Sequence, residues 1–173
     1  MNIAKERKAI DAALDSYRNQ LNIIPDEMFM LTPPDGGWSY AEVYSHILQA
    51  TLGSIIALER CTHDNCKPTT HGPNLFGKII LFTGLFPRVN VPEKVNAKMP
   101  ATKIDKEEAR NLIVKCRMRL DEIVPLIKKS SPGSRHKHPR LGMLNAKQWL
   151  KFIRIHLKHH LKQLKRIDEK ISK

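Results

Sequence analysis

Three histidines, His156, His159 and His160, fall within five consecutive positions of the segment IRIHLKHHLKQLKRI. Histidine is a common ligand of zinc and other divalent metals, and residues at i and i+4 of a helix lie one turn apart on the same side. On a helical wheel His160 falls near the middle of the apolar face of this segment, His156 at its edge and His159 outside it. We therefore interpret His156 and His160 as a candidate ligand pair, and His159 as a surface residue or a neighbour of the site.

Two ligands do not make a metal site, and the candidate for a third is His46, in a different helical segment. His46 is in line with the small residues Ala50, Gly53 and Ala57, and small residues allow two helices to approach closely. The spacing therefore predicts that His46 reaches across to the histidine pair. Three imidazoles with an open fourth position are typical of a catalytic rather than a structural zinc site. The alternative is three core histidines that bind no metal.

Four long helical segments must position these residues, at about 3–23, 39–60, 105–129 and 145–171. In each of them apolar residues recur at a helical spacing. The second and the fourth begin with a serine or an asparagine that is followed three residues later by Glu or Gln, the pattern of a capping box. We find no convincing strand and no internal repeat, so the sequence predicts an all-α protein.

A long connection, residues 61–103, joins the second helix to the third and contains many Pro and Gly residues. Its apolar stretch NLFGKIILFTGLF predicts a short helix over one end of the core. A connection of this length can cross over the domain, so the two helices that it joins need not be antiparallel neighbours. The length of 173 residues fits a single domain, 1–173, folded as a four-helix bundle with a long crossover between helices two and three.

Positive charge is concentrated in the last part of the chain. Residues 128–173 contain 14 Lys and Arg against two acidic residues, whereas residues 1–127 contain 16 against 15. A basic helix face favours anionic partners, so the alternative function is a non-enzymatic helical module that binds nucleic acid or another anionic partner. No aromatic residues interleave with the lysines, which argues against stacking on single-stranded bases. The basic residues opposite the histidines are Lys147, Lys151, Arg154, Lys158, Lys162 and Lys165.

The composition indicates a cytoplasmic protein without a membrane partner. No apolar run approaches the roughly 18 residues that span a membrane, and MNIAKERKAIDAALDSY has no apolar signal region. The three cysteines give no disulfide framework. Two of them lie with two histidines in CTHDNCKPTTH, residues 61–71, but the spacing matches no structural zinc motif known to us. We interpret this segment as a flexible loop with reduced thiols.

Two stretches resemble the DinB/YfiT-like superfamily. PPDGGWSYAEVYSHILQA is similar to the start of its second helix, with a Trp-Ser cap and a histidine seven residues after the serine. LNAKQWLKFIRIHLKHHLKQL is similar to its last helix, with a polar cap, an aromatic residue and then H-x-x-H-H-x-x-Q-L, and HPRLGMLN before it also fits. The resemblance spans most of the chain and is weak in motif along the middle connection.

This resemblance implies a four-helix bundle that holds a divalent metal, often nickel or zinc, with three histidines: here His46, His156 and His160. Characterised relatives include enzymes that depend on bacillithiol or mycothiol and act as S-transferases or isomerases. We therefore expect a metal-dependent enzyme that acts on a small molecule, either a thiol-dependent S-transferase or a hydrolase. Its cofactors would be zinc or nickel and, for the transferase, a low-molecular-weight thiol.

Three residues are further candidates for the surroundings of the metal or the substrate side: His159, Gln163 and His138. Gln163 lies near the inward face, where it either orients a ligating ring or is a polar residue at the bundle edge. His138, beside Pro139, is a candidate for contact with substrate at the mouth of the bundle. No Ser/His/Asp arrangement indicates a protein nucleophile, so the catalytic residues are unassigned. A homodimer is compatible with such a bundle, although no residue demands it.

Overall fold

The computed structural model describes residues 1–33, 37–86 and 102–171, with the side chains of residues 170 and 171 excepted. The predicted all-α four-helix bundle is confirmed. The third long helix is shorter than predicted, because the chain tightens into a 3₁₀ helix at Val124–Lys129, where Pro125 lacks a backbone donor. The α-helices are α1 (Ile3–Ile23), α2 (Asp26–Phe29), α3 (Tyr40–Thr62), α4 (Leu75–Thr83), α5 (Lys106–Ile123) and α6 (Ala146–Ile171).

The four long helices, α1, α3, α5 and α6, surround one core. Both α5 and α6 pack against α1 and against α3, so α1 and α3 lie diagonally across the bundle. There Tyr17 and Tyr44 meet edge to face, with ring centroids 5.5 Å apart. The long connection joins two helices that pack together, α3 and α5, and the short helix predicted within it is α4. Residues 87–101 of the predicted crossover lie outside the described residues.

The expectation that the chain has no strand is wrong for the segment before α6. Arg135–His138 and Gly142–Asn145 form a two-stranded antiparallel hairpin, β1 and β2. Each strand has four residues, and β1 reads RHKH, so no alternation of apolar and polar side chains marks it as a strand in the sequence.

A histidine and a glycine hold the turn of this hairpin. Nδ1 of His138 accepts the backbone N–H groups of Arg140 and Leu141, each at 3.1 Å. Gly142 has a φ of +85°, and a Cβ there would lie 2.7 Å from the backbone nitrogen of Asn74. Because β2 runs directly into α6, this turn determines how the chain enters the helix that carries two of the candidate ligands.

Candidate metal centre

His46 lies in the second turn of α3, and a capping box fixes where that helix begins. The Ser39 hydroxyl accepts the backbone N–H of Glu42 at 3.3 Å, and the Glu42 carboxylate accepts the backbone N–H of Ser39 at 2.8 Å. Trp38, directly before the cap, lies against His46 with ring centroids 5.0 Å apart. The local sequence therefore sets both the register of His46 and its aromatic neighbour.

His156 and His160 lie well inside α6, which begins with a second capping box. Asn145 Oδ1 accepts the backbone N–H of Gln148, and Gln148 Oε1 accepts that of Asn145, both at 3.0 Å. This cap at the end of the hairpin fixes the start of α6, and therefore which of its residues face α3.

Two buried tyrosines form a chain of hydrogen bonds that reaches the turn of α6 between the two histidines. The Tyr17 hydroxyl, from α1, donates to the backbone carbonyl of Leu157 at 2.8 Å. The Tyr44 hydroxyl, from α3, donates to the carbonyl of Tyr17 at 2.9 Å. Helix α1 supplies none of the candidate ligands, yet it holds the backbone that carries two of them.

The three predicted ligands come together between α3 and α6. The Nε2 atoms of His156 and His160 lie 3.1 Å apart, and the ligand nitrogens of these two and of His46 are all within 4.8 Å of one another. A tetrahedral ion roughly 2 Å from two imidazole nitrogens holds them about 3.3 Å apart, so the α6 pair already has a suitable spacing and His46 must close a gap of at most about 1.5 Å. Within the described ranges this is the one group of three or more His, Cys, Asp or Glu close enough to hold a metal.

The ring nitrogens that face away from the cluster have different surroundings. His160 donates its Nδ1–H to Oε1 of Gln163 at 2.7 Å, which orients the ring and places on Nε2 the lone pair that a ligand needs. Nδ1 of His156 is buried and has no hydrogen-bond partner in the part of the chain that the structure describes. The His156 ring is instead stacked on Phe152, with centroids 5.2 Å apart and planes at 22°.

Burial keeps the three imidazoles neutral. It lowers the pKa of His160 to about 3, lowers the pKa of His156 well below its ordinary value, and also lowers the pKa of His46. The neighbouring imidazoles add to each shift, because a second positive charge nearby would be repelled. At neutral pH each ring therefore keeps one N–H and leaves its other nitrogen with a lone pair, which suits a divalent cation.

Half-buried aromatic side chains form a rim around the cluster. Phe86, after α4, lies 5.9 Å from His156 and 5.2 Å from His159 between ring centroids. Trp38 lies against His46, as described above. This rim is not among the features predicted from the sequence. Two features of the sequence could have indicated aromatic neighbours of the site. Trp38 lies directly before a helix cap, and Phe152, beneath the site, is one helical turn from His156.

His159 and His138 lie beside the cluster. The His159 ring is half-buried, 5.1 Å from that of His160. The His138 ring packs on Phe152 at 4.4 Å, and Phe152 in turn stacks on His156. Since Nδ1 of His138 holds the hairpin turn, its Nε2 is the nitrogen left for any contact with substrate.

His46 reaches the histidine pair, but Gly53, one of the small residues expected at the contact with the other helix, does not lie there. Gly53 is exposed, and a Cβ added there would meet no atom within 4 Å. Gly53 therefore lies outside the contact with α6. Larger side chains join the two helices instead, for example Tyr40, whose hydroxyl donates to the carboxylate of Asp168.

The basic face of α6 is exposed at Lys147, Lys158, Lys162 and Lys165. Arg154 is different, because its guanidinium pairs with the carboxylate of Glu6 in α1 at 2.5 Å. This residue therefore ties α6 to α1 and is not available to a partner. Within the described residues, no helix combines the length and the hydropathy needed to cross a membrane.

The segment 61–71 does not bring its four candidate ligands together. The sulfur atoms of Cys61 and Cys66 are 4.0 Å apart, whereas His63 and His71 are exposed. Among the described residues these side chains form no group of three with ligand spacing.

Comparison with known proteins gives one family and two related folds. Residues 8–164 match the DinB superfamily. The four-helix bundle protein TT2238 shares the fold with a TM-score of 0.61 and 18% identity, over 95% of this chain and 99% of that one. YfiT from Bacillus subtilis, described as a probable metal-dependent hydrolase with an unusual four-helix bundle topology, has a TM-score of 0.64 and 12% identity, over 98% of this chain and 87% of that one. No match is found among curated proteins.

The match to the family runs from α1 to the last turns of α6, and it includes both capping boxes and all three histidines of the cluster. The two solved structures agree with it in fold. The chain therefore belongs to the DinB superfamily.

Proposed function

We propose that His46, His156 and His160 bind one divalent metal ion with an open coordination position, and that the protein is a metal-dependent enzyme acting on a small molecule. The observation that carries the proposal is the convergence of three ring nitrogens within 4.8 Å, from two helices whose starts are fixed by capping boxes. A cluster of neutral, largely buried imidazoles with no carboxylate among them is a costly arrangement for a core, and a bound cation would compensate for it.

A bound zinc or nickel ion would lower the pKa of a water molecule or of a substrate thiol, and so supply a nucleophile at neutral pH. Other side chains of the protein hold the ligand rings in position. Gln163 fixes the His160 ring through Nδ1, and Phe152 supports the His156 ring by stacking. Neither contact uses the Nε2 atoms that face the centre, so both hold the ligands without competing for their lone pairs.

The aromatic rim indicates how substrate reaches this centre. Trp38 and Phe86 are half-buried and border the ligand rings, so they would shield the reacting groups from bulk water and favour an apolar portion of the substrate. His159 lies between Phe86 and His160, on the side where substrate would enter. We assign it and His138 to substrate contact rather than to the metal.

Two reaction classes fit this chemistry: hydrolysis, and transfer to a low-molecular-weight thiol. The fold neighbour YfiT is described as a probable metal-dependent hydrolase, which supports the metal-dependent class without fixing the reaction of this chain. The two are separated by assaying metal-loaded protein on activated esters and on electrophiles, with and without added thiol. Turnover that requires the thiol indicates an S-transferase, and turnover without it indicates a hydrolase.

The metal assignment is tested by elemental analysis of purified, untagged protein after incubation with zinc or nickel and removal of excess metal. We expect about one ion per chain in the wild type and little in His46→Ala. His63→Ala is the matched control, because His63 is an exposed histidine at the other end of α3. Equal metal in wild type and His46→Ala, or none in either, would overturn the assignment.

The competing function is binding of an anionic partner by the basic face of α6. It predicts DNA binding with a strong dependence on salt concentration and no dependence on the three histidines. A DNA titration with wild type and His46→Ala at two salt concentrations distinguishes the two functions. Tight binding that is equal in both proteins would favour the competing one.

A further inference from the structure

Cys61 and Cys66 form a pair of touching thiols at the end of α3 that lies away from His46. Their sulfur atoms are 4.0 Å apart. The third cysteine, Cys116, is buried elsewhere in the core, with its sulfur 3.9 Å from the backbone carbonyl of Leu48. The chain thus carries one thiol pair and one separate thiol.

The local backbone explains why the two cysteines meet. Helix α3 ends in a turn in which Asp64 adopts a left-handed conformation, with φ +54°, and the N–H of Asn65 donates to the carbonyl of Arg60 at 2.9 Å. This bond is the longer of the two hydrogen bonds of a Schellman motif, with aspartate in the place that glycine usually takes. The turn reverses the chain directly after the helix, so Cys66 returns to the side of Cys61.

The two thiols differ in their surroundings. Cys61 is buried, and its S–H donates to the backbone carbonyl of Leu144 in β2 at 3.5 Å. Burial is the largest cause that raises the pKa of Cys61 to about 12, and the neighbouring Cys66 adds to it. Cys66 is only partly buried and lies in the loop, so it is the thiol that a small oxidant reaches first.

We propose that Cys61 and Cys66 form a reversible intramolecular disulfide when the protein reacts with a peroxide. Hydrogen peroxide would transfer one oxygen to the Cys66 sulfur, giving a sulfenic acid and one water molecule. The Cys61 sulfur then attacks the Cys66 sulfur, and the Cys61 proton leaves with the sulfenic hydroxyl as a second water. In total two thiols are oxidised and one peroxide is reduced to two waters.

Closing the bond requires only a local movement. The sulfur atoms must approach from 4.0 Å to about 2 Å. Of the residues between the cysteines, 63–65 are exposed and follow the end of the helix, so Cys66 can move while Cys61 stays in the core. The reaction removes the S–H contact of Cys61 to the Leu144 carbonyl and replaces the contact between the two sulfur atoms with a covalent bond.

The thiol pair is independent of the proposed metal centre. Cys61 lies fifteen positions after His46 in α3, which corresponds to about 22 Å along a helix. Oxidation of the pair should therefore leave the metal content unchanged, and the two proposals can fail separately.

The test treats reduced, native, full-length protein with hydrogen peroxide, quenches it, and alkylates all remaining thiols in denaturant. Intact mass should change from three alkylated thiols to one, and the tryptic peptide 61–78 should be lighter by about 2 Da than its reduced, unalkylated form. Cys116, followed on the Lys-C peptide 116–128, should lose its thiol at least about tenfold more slowly. Dithiothreitol should restore three alkylated thiols.

Two variants sharpen the result. Cys66→Ser should abolish the 2 Da loss, and Cys61 should then stay alkylatable. Asp64→Gly retains the left-handed turn and should form the disulfide as the wild type does. Equal loss of all three thiols, oxidation of Cys66 to a sulfinic acid without a disulfide, or cross-linked dimers in place of the internal bond would each overturn the proposal.

Discussion

The chain carries two groups of metal-type ligands, at opposite ends of α3. The first, His46, His156 and His160, lies on two long helices with defined starts, and its ring nitrogens converge. The second, in the segment 61–71, is closer together in sequence but lies mostly in a loop, and only its two sulfur atoms meet. Residue types alone do not distinguish the two groups. The elements that hold them do, because a helix fixes the direction of each side chain and a loop does not.

The largest expected effect tests this difference directly. His156→Ala should reduce bound metal from about one ion per chain to nearly none, because two imidazoles cannot complete the site. His71→Ala, the same change at a histidine of the segment 61–71, should leave the metal content at the wild-type value. Elemental analysis of both variants after identical metal loading is the measurement. Metal loss in His71→Ala would contradict the proposed difference between the two groups of ligands.

Acidification should destabilise the metal-free protein because of the buried histidines His46, His156 and His160. Burial lowers the pKa of His160 to about 3, whereas an unfolded histidine titrates near 6.5. Below about pH 6.5 the unfolded chain binds the proton more readily, so stability falls as pH falls, by about 1 kcal/mol per pH unit for this residue, until the folded value is reached.

Thermal unfolding in chelator between pH 7 and pH 5 is the measurement. The midpoint should fall with pH in the wild type and fall less steeply in His160→Gln, which lacks the titrating ring. Parallel pH profiles for the two proteins would contradict the assignment of this destabilisation to His160.

A smaller effect concerns the support of a ligand ring. Gln163→Ala removes the acceptor at 2.7 Å from His160 Nδ1 and should weaken metal binding by about 10- to 100-fold, the usual cost of losing such a partner. Gln163→Glu keeps an acceptor in place and should retain most of the affinity. Competition with a coloured chelator measures all three proteins. Unchanged affinity in Gln163→Ala would show that the ring needs no such support.

The smallest expected effect concerns α1, which supplies no ligand. Tyr17→Phe removes the hydroxyl that donates to Leu157 at 2.8 Å and should cost about 1 kcal/mol of unfolding free energy. Denaturant unfolding of the metal-free protein measures this loss. Tyr44→Phe removes the next hydroxyl of the same chain of contacts and should cost a similar amount. If neither variant differs from wild type, α1 does not hold the ligand helix through these bonds.

Much of the fold and the position of the histidines are predictable from the sequence. Helical periodicity and the two capping boxes, at Ser39 and Asn145, give the long helices, and the periodicity points His160 inward. The hairpin escapes prediction because it depends on a side-chain contact of His138 with the turn rather than on a strand pattern. The contact predicted at Gly53 is wrong because packing in three dimensions decides which face of α3 meets α6.

The aromatic rim and the contact between the two thiols are not predictable from the sequence, for a related reason. Phe86 and His159 are far apart in the chain, and no local pattern links them. Cys61 and Cys66 are close in sequence, yet their contact depends on the left-handed conformation of Asp64, which aspartate adopts in only a minority of its occurrences. Such contacts are properties of the folded chain.

The distance along the chain between the ligands has a consequence for synthesis. His46 precedes His156 by 110 residues, which a ribosome translating 5–20 residues per second adds in roughly 5–20 s. During that time the growing chain offers only one of the three proposed ligands, so it has no site that could retain an ion. Metal would therefore be acquired after translation of α6, and the ion received would depend on which metals the cell holds free at that moment.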